Sequence, residues 1–415
     1  MIRFILLATF LLGINFYAFQ ALRTISNYGW LMPYRKVLYW IYWLFCIGVL
    51  AWVLYLMVQN TLGKEVRYQG AFGLLVLMLV PQLVMIVFLV GEDIFRLGKG
   101  LCLYLYDVIG KGSSRDVYVE SRRIFLSRAA AVTAAIPFAG ILHGITAGKY
   151  NYKVRKKTLF FEDLPEAFDG FTITQLSDIH SGSFDNPEKV AYGVEMANAQ
   201  NSDVILFTGD LVNNKASEME PWMEIFGKLK APLGKFSVYG NHDYGDYVQW
   251  PNDEAKKANL EALAQAHKDI GFDLLRNEHR HIEKQGQRIC IAGVENWGLP
   301  PFPQYGDLDL TLKGSCDFRV LMSHDPSHWD AEVKKSEKKV HLTLSGHTHG
   351  MQFGIEIPGF RWSPVKFKYP RWAGLYEEAN KYLYVNRGFG YLAFPGRVGI
   401  WPEVTVIELR KGSAT

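Results

Sequence analysis

The chain is poor in cysteine. It has four in 415 residues, Cys46, Cys102, Cys290 and Cys316, and none stands in a C-x-x-C spacing. That excludes a disulfide-scaffolded small domain and a thiolate zinc ribbon, so a metal must be held by His, Asp, Asn or Glu. At Cys290 and Cys316 two buried free thiols are expected, with a single bridge between them as the alternative. An excess of charge is missing too. Forty-five Lys and Arg stand against 41 Asp and Glu, a formal net charge of +4, too near balance to argue for a nucleic-acid partner, and none is expected. Apolar sequence is what the chain has in quantity. Its mean hydropathy of -0.00 is high for a soluble enzyme and averages two unlike parts.

The first third carries three apolar stretches, Phe4–Leu22, Val37–Val58 and Ala71–Val90, each near the roughly 20 residues that cross a bilayer as a helix. The second has no charged residue. The first contains Asn15 and Gln20 and the third Pro81 and Gln82, which neighbours in a helical bundle can satisfy. Leu101–Ile109 is too short to span and leads into a polar linker, Gly110–Glu120. Arg122-Arg123-Ile124-Phe125-Leu126 then precedes the alanine-rich run Ala129–Ala147. Two readings stay open for the paired arginines: a twin-arginine-like export signal in an internal position, or the positive flank of an ordinary fourth helix.

Residues 1–147 are therefore expected to form a transmembrane anchor region of about four helices. The loop bearing Arg96, Lys99, Lys111, Arg115, Arg122, Arg123 and Arg128 is expected in the cytoplasm, with Arg23, Arg35 and Lys36, while Lys64 and Arg67 lie outside. Alternation then turns the downstream part outward. Residues 148–157 read as a basic linker whose Lys149, Lys153, Arg155, Lys156 and Lys157 suit anionic lipid head groups. No small-x-small cleavage site follows Ala147, so the remainder is expected to stay tethered.

From Thr158 the pattern changes to short apolar runs that end in polar clusters. Phe171–Leu176 alternates as a strand and delivers Asp178 and His180. Asp203–Thr208 is apolar on both faces and delivers Gly209-Asp210. Asn186–Gln200 between them suits a helix in a β-α-β crossover. Phe236–Tyr239 delivers Gly240-Asn241-His242-Asp243, Phe318–Met322 delivers Ser323-His324-Asp325-Pro326, and Val340–Leu344 delivers Gly346-His347-Thr348-His349-Gly350. A single Asp or His after a strand is usually a turn residue. Five such strand ends in one chain call for a common site.

In this order the motifs D-x-H, G-D, G-N-H-D, H-x-P and G-H-x-H resemble the calcineurin-like metallophosphoesterase superfamily, and their spacing is most similar to its membrane-tethered bacterial branch. The resemblance covers residues 158–410, through Gly388-Phe389-Gly390 and Pro395-Gly396-Arg397, and leaves a short tail, 411–415. It implies an α/β fold of two β-sheets packed as a sandwich between helices, four layers α/β/β/α, behind the helical transmembrane region. It implies two divalent metal ions: Asp178, His180 and His349 on the first, Asn241, His324 and His347 on the second, and Asp210 bridging both. Imidazole and oxygen donors in this mixture suit Mn, Fe or Zn better than Ca. The reaction implied is phosphoester hydrolysis by a metal-bridging hydroxide, with His242 stabilising or protonating the leaving oxygen. Where the family commonly carries Asp, this chain has Asn213, so the carboxylate orienting His242 is either missing or supplied by Asp243. Ser181 and Met351 also depart from the pattern and are expected at the mouth of the site. His267, His279, His281, His328 and His341 are set aside as mostly exposed or strand-facing, with His328 the one near a motif.

Two aromatic loops bear on substrate. Tyr244–Pro251 follows His242, and Ile357–Trp372 interleaves Phe360, Trp362, Phe367, Tyr369 and Trp372 with Arg361, Lys366, Lys368 and Arg371. The second suits either a head-group interface or an ordinary aromatic core cluster. The expected protein is a membrane-tethered phosphodiesterase or phosphomonoesterase acting on a lipid or cell-envelope phosphate, in a bacterial inner membrane with its catalytic domain on the outer face. The alternatives are a UDP-2,3-diacylglucosamine-type lipid pyrophosphatase on the cytoplasmic face and a non-catalytic membrane sensor that keeps the fold.

Overall fold

The computed structural model describes residues 2–61, 66–109, 120–378 and 380–413. Lys64, Lys111 and Arg115 of the charge argument lie outside the described residues, as do most of the polar linker and the last two residues of the tail. The chain divides into two compact units, Met1–Ile145 and Thr146–Thr415.

The first unit consists of α1 (Ile2–Ser26), α2 (Arg35–Thr61), α3 (Gln69–Val108) and α4 (Glu120–Thr146). Each is long and apolar enough to cross a membrane. The helix α3 runs on from Leu101 to Val108 instead of stopping, with no proline between Pro81 and Pro137 to break its hydrogen-bond ladder. Its polar residue is matched by its neighbours. Gln82 Nε2 donates to Asn15 Oδ1 at 2.8 Å and to Tyr42 Oη at 3.0 Å, and the Tyr42 hydroxyl donates to the Asn15 carbonyl at 2.7 Å. Arg122 pairs with the buried Glu92 at 3.0 Å and Arg123 reaches Asp93 at 4.0 Å. An ordinary fourth helix docking on α3 accounts for these pairs.

The second unit has two six-stranded sheets. Its strands are β1 (Lys153–Phe161), β2 (Phe171–Leu176), β3 (Val204–Phe207), β4 (Lys235–Ser237), β5 (Asp273–Leu274), β6 (Glu278–Lys284), β7 (Gln287–Gly293), β8 (Arg319–Met322), β9 (Leu342–Ser345), β10 (Ile355–Ile357), β11 (Phe360–Trp362), β12 (Gly374–Glu378), β13 (Lys381–Val385) and β14 (Glu403–Lys411). The first sheet runs β1-β14-β2-β3-β4-β5 and the second β12-β13-β9-β8-β7-β6, while β10 and β11 form a separate hairpin. Helix α5 (Pro187–Asn198) makes the crossover between the parallel β2 and β3. A short α6 (Met223–Phe226) and α7 (Asp253–Asp269) follow. Asn186 starts α5 as its cap, its side chain accepting from the Lys189 N–H, with Pro187 at the first helical position where no N–H is needed.

Strand periodicity sorts the core into layers. Leu206 of β3 faces inward with Ile173, Ile291, Val320 and Leu344 between the sheets. Its neighbours Ile205 and Phe207 face outward against Val190, Val194 and Leu263 of the helices. Beyond the second sheet, Ala292, Leu321 and Leu383 pack on Trp329. The expected four-layer α/β/β/α sandwich is what forms.

Two expectations need correction. The basic stretch 148–157 is no free linker: Lys153 onward is strand β1, parallel to β14, because Leu159 and Phe161 bury and β14 offers an open edge. Lys149 and Arg155 are tied to Asp185 and Glu356. Cys290 and Cys316 are bridged, not free, with Cα atoms 6.3 Å apart. The pairing of Cys290 with Arg319 across β7 and β8 brings Cys316, three residues earlier, alongside it.

Candidate metal centre

Strands β2, β3 and β4 are adjacent and parallel in one sheet, and β8 and β9 are adjacent and parallel in the other. Their carboxyl ends therefore open on a common edge. Asp178 and His180 follow β2, Asp210 follows β3, Asn241 and His242 follow β4, His324 follows β8, and His347 and His349 follow β9. The chain must turn back sharply at each end, and it does so on the functional residues themselves. Asp178, His180, Asp210, His347 and His349 all have left-handed backbone, with φ of 52°, 49°, 61°, 68° and 49°, a conformation costing roughly 1–3 kcal/mol per residue.

Contacts between the sheets hold that strain. Both oxygens of Asp178 accept from the His347 N–H, at 2.9 and 3.1 Å. His324 Nδ1 lies 2.7 Å from the Thr208 carbonyl, which turns Nε2 into the site. Gly346 lets this approach happen, since a Cβ there would overlap Ser177 Oγ and Asp178 Oδ2.

All eight residues singled out from the sequence come together. His180 Nε2 is 3.0 Å from His349 Nε2 and 3.4 Å from Asp210 Oδ2. His324 Nε2 is 3.1 Å from Asp210 Oδ2 and 3.2 Å from Asn241 Oδ1, and Asn241 Oδ1 is 2.8 Å from His347 Nδ1. His349 Nε2 is 3.3 Å from Asp178 Oδ1. Two overlapping groups of donor atoms result, Asp178–His180–His349 and Asp178–Asp210–His324, each with its atoms within 4.8 Å of one another.

This donor set fits divalent cations. Burial pushes the Asp178 carboxyl up to about 7, with His324 counteracting and Asp210 adding to the rise. Burial lowers His180 to about 3 and His347 to about 4, and takes His349 well below its usual range, so these imidazoles present lone pairs. Asp210 stays ionised despite burial because His324 and its neighbours hold it low, and its own charge raises His324. Among the described residues no Lys or Arg pairs with either carboxylate. Two buried carboxylates beside the lone pairs of His180, His347 and His349 suit a divalent cation at this spot.

His242 lies beside the donors. Its N–H donates to Asp210 Oδ1 at 2.8 Å, and its ring Nδ1 is 2.8 Å from the carbonyl oxygen of Asn213. The orienting group is thus a backbone carbonyl, and Asp243 does not serve. The Asp243 carboxylate accepts instead from the N–H groups of Gly240, Asp210 and Leu211 at 2.8 to 2.9 Å, pinning the β3 and β4 turns together. The loop that carries this carbonyl is held by Glu218, which accepts from the Asn213 and Asn214 N–H groups at 2.6 and 3.3 Å.

Residues with no obvious sequence signal complete the shell. Tyr247 accepts from Asn241 Nδ2 at 2.8 Å and its ring stands 4.5 Å from that of His242. Tyr369 Oη lies 2.7 Å from His347 Nε2. The buried Arg397 sets Nη2 3.2 Å from His349 Nδ1 while donating to the carbonyls of Arg387 and Gly390. The P-G-R tail and the two aromatic loops were the available hints. Ser181 is buried, donating its N–H to the Leu211 carbonyl, so of these two departures only Met351 is exposed. His328 is outside the cluster, between Ser323 and Glu332. His267 and His341 are buried rather than exposed.

Two stacked sheets that converge carboxylates and imidazoles at parallel strand ends define a metal-dependent hydrolase. The catalytic unit matches the family model "Calcineurin-like phosphoesterase" over residues 171–351, and the helices match "Probable Calcineurin-like phosphoesterase, transmembrane domain" over 2–149. The metallophosphoesterase YkuE of Bacillus subtilis is 33% identical over 252 residues, 60% of this chain and 82% of that protein. A transmembrane protein with metallophosphoesterase domain from Danio rerio is 30% identical over 65% of this chain and 60% of its own length. The phosphodiesterase YaeI of Escherichia coli is 28% identical over 70% of this chain and 99% of its own. The chain belongs to the calcineurin-like metallophosphoesterases. It is a membrane-integral member and a metal-dependent phosphoester hydrolase.

Proposed function

We propose that this phosphoesterase holds two divalent ions, of Mn, Fe or Zn type, and hydrolyses a lipid or cell-envelope phosphate ester on the outer face of a bacterial inner membrane. The observation that carries the reading is the convergence of seven ligand-type side chains with His242 set beside them. Asp178, His180 and His349 would hold one ion and Asn241, His324 and His347 the other, with Asp210 between the two groups. Such ions would supply Lewis acidity toward phosphoryl oxygens and lower the pKa of water. The chain's own residues do the rest. The neutral Asn241 limits negative charge where an anionic phosphate must bind, and His242 carries the proton to the leaving oxygen through Nε2, its Nδ1–H donating to Asn213.

The outward orientation draws support from the positive-inside count and from the Cys290–Cys316 bridge, since disulfides persist in oxidising compartments. Lipid-linked substrates are favoured because the catalytic unit is tethered to a membrane. The test is hydrolysis of bis-p-nitrophenyl and p-nitrophenyl phosphate by the full-length protein with Mn, beside Asp210→Ala and His242→Ala. Turnover no higher than that of the variants would make the chain a non-catalytic sensor. An alkaline phosphatase fusion after Lys157 should be active, and an inactive one would turn the domain to the cytoplasm.

A further inference from the structure

The hairpin β10–β11 has its amphipathicity turned inside out. Cross-strand partners share a face, and the register pairs Ile355 with Trp362, Glu356 with Arg361 and Ile357 with Phe360. One face is therefore Ile355, Ile357, Phe360 and Trp362, and the other is Glu356 and Arg361. The charged face packs on the catalytic unit through Glu356, while Arg361 is exposed. Glu356 pairs with Arg155 at 2.7 Å and Arg387 at 2.6 Å, and Arg361 donates to the Ala373 carbonyl and lies over the ring of Tyr376. Three of the four apolar side chains point away, Ile355, Ile357 and Phe360 being 50%, 58% and 52% exposed, while Trp362 is half-buried. The turn that follows adds Phe367, 81% exposed, between the exposed Lys366 and Lys368. A hairpin built for water has the opposite arrangement.

We infer that this hairpin and the 364–368 turn insert into the interface of an anionic lipid bilayer. Three observations choose lipid over another occupant. The same chain carries four membrane-spanning helices, so a bilayer is always within reach at high effective concentration. The stretch from residue 357 to 376 has no carboxylate; Arg371 is paired with Asp330 and Glu378 and Arg361 packs on Tyr376, which leaves the exposed Lys366 and Lys368 to complement anionic head groups. The patch is a few side chains wide, well short of the roughly 800 Å² per partner that a stable protein interface buries, yet apolar side chains flanked by Lys are what an interfacial anchor uses. The turn also borders the metal centre: Tyr369, next to Lys368, bonds His347, and Lys368 lies over the ring of Phe302, which packs on His347. Docking there brings the head-group layer to the rim of the site.

The inference rests on the membrane helices and the hairpin, so it can fail without the phosphoesterase reading failing. The test uses the full-length protein with Cys102→Ser in nanodiscs containing about one-third anionic lipid. Ile357→Cys or, as a second position, Phe360→Cys carries an environment-sensitive fluorophore, and Tyr192→Cys, 52% exposed on α5, serves as reference. The hairpin probes are expected to be blue-shifted relative to position 192 and quenched at least twofold when the lipids have brominated acyl chains. Emission like that of position 192 overturns the proposal. So does a blue shift without bromine quenching, which would mean that protein covers the patch.

Discussion

His242 Nδ1 lies 2.8 Å from the carbonyl oxygen of Asn213. A carbonyl can only accept, so Nδ1 keeps its hydrogen and Nε2 is left as the atom that exchanges a proton with substrate. His242 also contacts Asp210 through its backbone N–H, which survives substitution by alanine. His242→Ala is therefore expected to keep the metal content of the wild type while lowering turnover by about 10²–10⁴-fold, the usual worth of a positioned acid. The loss should be largest for esters with poor leaving groups and smallest for nitrophenyl esters. Metal analysis together with a leaving-group series checks both halves.

Asp210 presents one oxygen to His180 and His324, at 3.4 and 3.1 Å, and the other to the His242 N–H. Asp210→Asn removes the charge that holds the two halves of the centre together. Bound metal should fall and activity should drop at least about 10²-fold, more than the loss of an outer-shell partner. EDTA should abolish wild-type activity and Mn restore it, whereas added Mn should not rescue the variant.

Gly346 sits where β9 meets the carboxylate of Asp178. A methyl group there overlaps Ser177 Oγ and Asp178 Oδ2, which must move and take the ligand with them. Gly346→Ala is expected to cost about 1–3 kcal/mol as overpacking and to weaken metal binding. Wild-type metal affinity and wild-type Tm in Gly346→Ala would contradict the fit.

The candidate ligands were legible because each follows a short apolar strand, and the strand ends line up in parallel β2, β3 and β4 and parallel β8 and β9. Composition and run length likewise revealed the four helices. What the sequence hid depends on register and packing. The Cys290–Cys316 bridge needs β7 and β8 to pair as they do, and the Asn213 contact uses a main-chain carbonyl that carries no residue signature. Strand β1 was disguised by its lysines, because an edge strand leaves alternate side chains to solvent and can carry charge. Arg397 lies 48 residues beyond His349, and only the folded chain brings them together.

His267 is buried against Phe207 and Tyr239 with no hydrogen-bond partner for either ring nitrogen among the described residues. Burial lowers it to about 3. The folded protein thus resists a proton that the unfolded chain takes up near pH 6.5, so stability falls as pH drops below that value and continues to fall toward pH 3. Between pH 8 and pH 5 this one group should remove about 2 kcal/mol. His267→Leu, compared with wild type by denaturant unfolding at both pH values, should show a correspondingly smaller loss on acidification. An unchanged difference would mean that the imidazole finds a partner for its charge.

Cys290 and Cys316 are bridged, while Cys46 and Cys102 are free. The bridge joins residues 26 apart, a loop whose closure restricts the unfolded chain by roughly 3–4 kcal/mol in the entropic account. Alkylating freshly isolated membranes under denaturing conditions should therefore modify two thiols per chain, and four after reduction. Reduction should also lower the unfolding midpoint of the wild type and leave that of Cys290→Ala/Cys316→Ala unchanged. The count carries topological weight, because thiols on the cytoplasmic face are kept reduced. Four reactive thiols without reductant would remove both the bridge and one support for an outward-facing catalytic unit, and the reporter fusion after Lys157 would then decide the orientation alone.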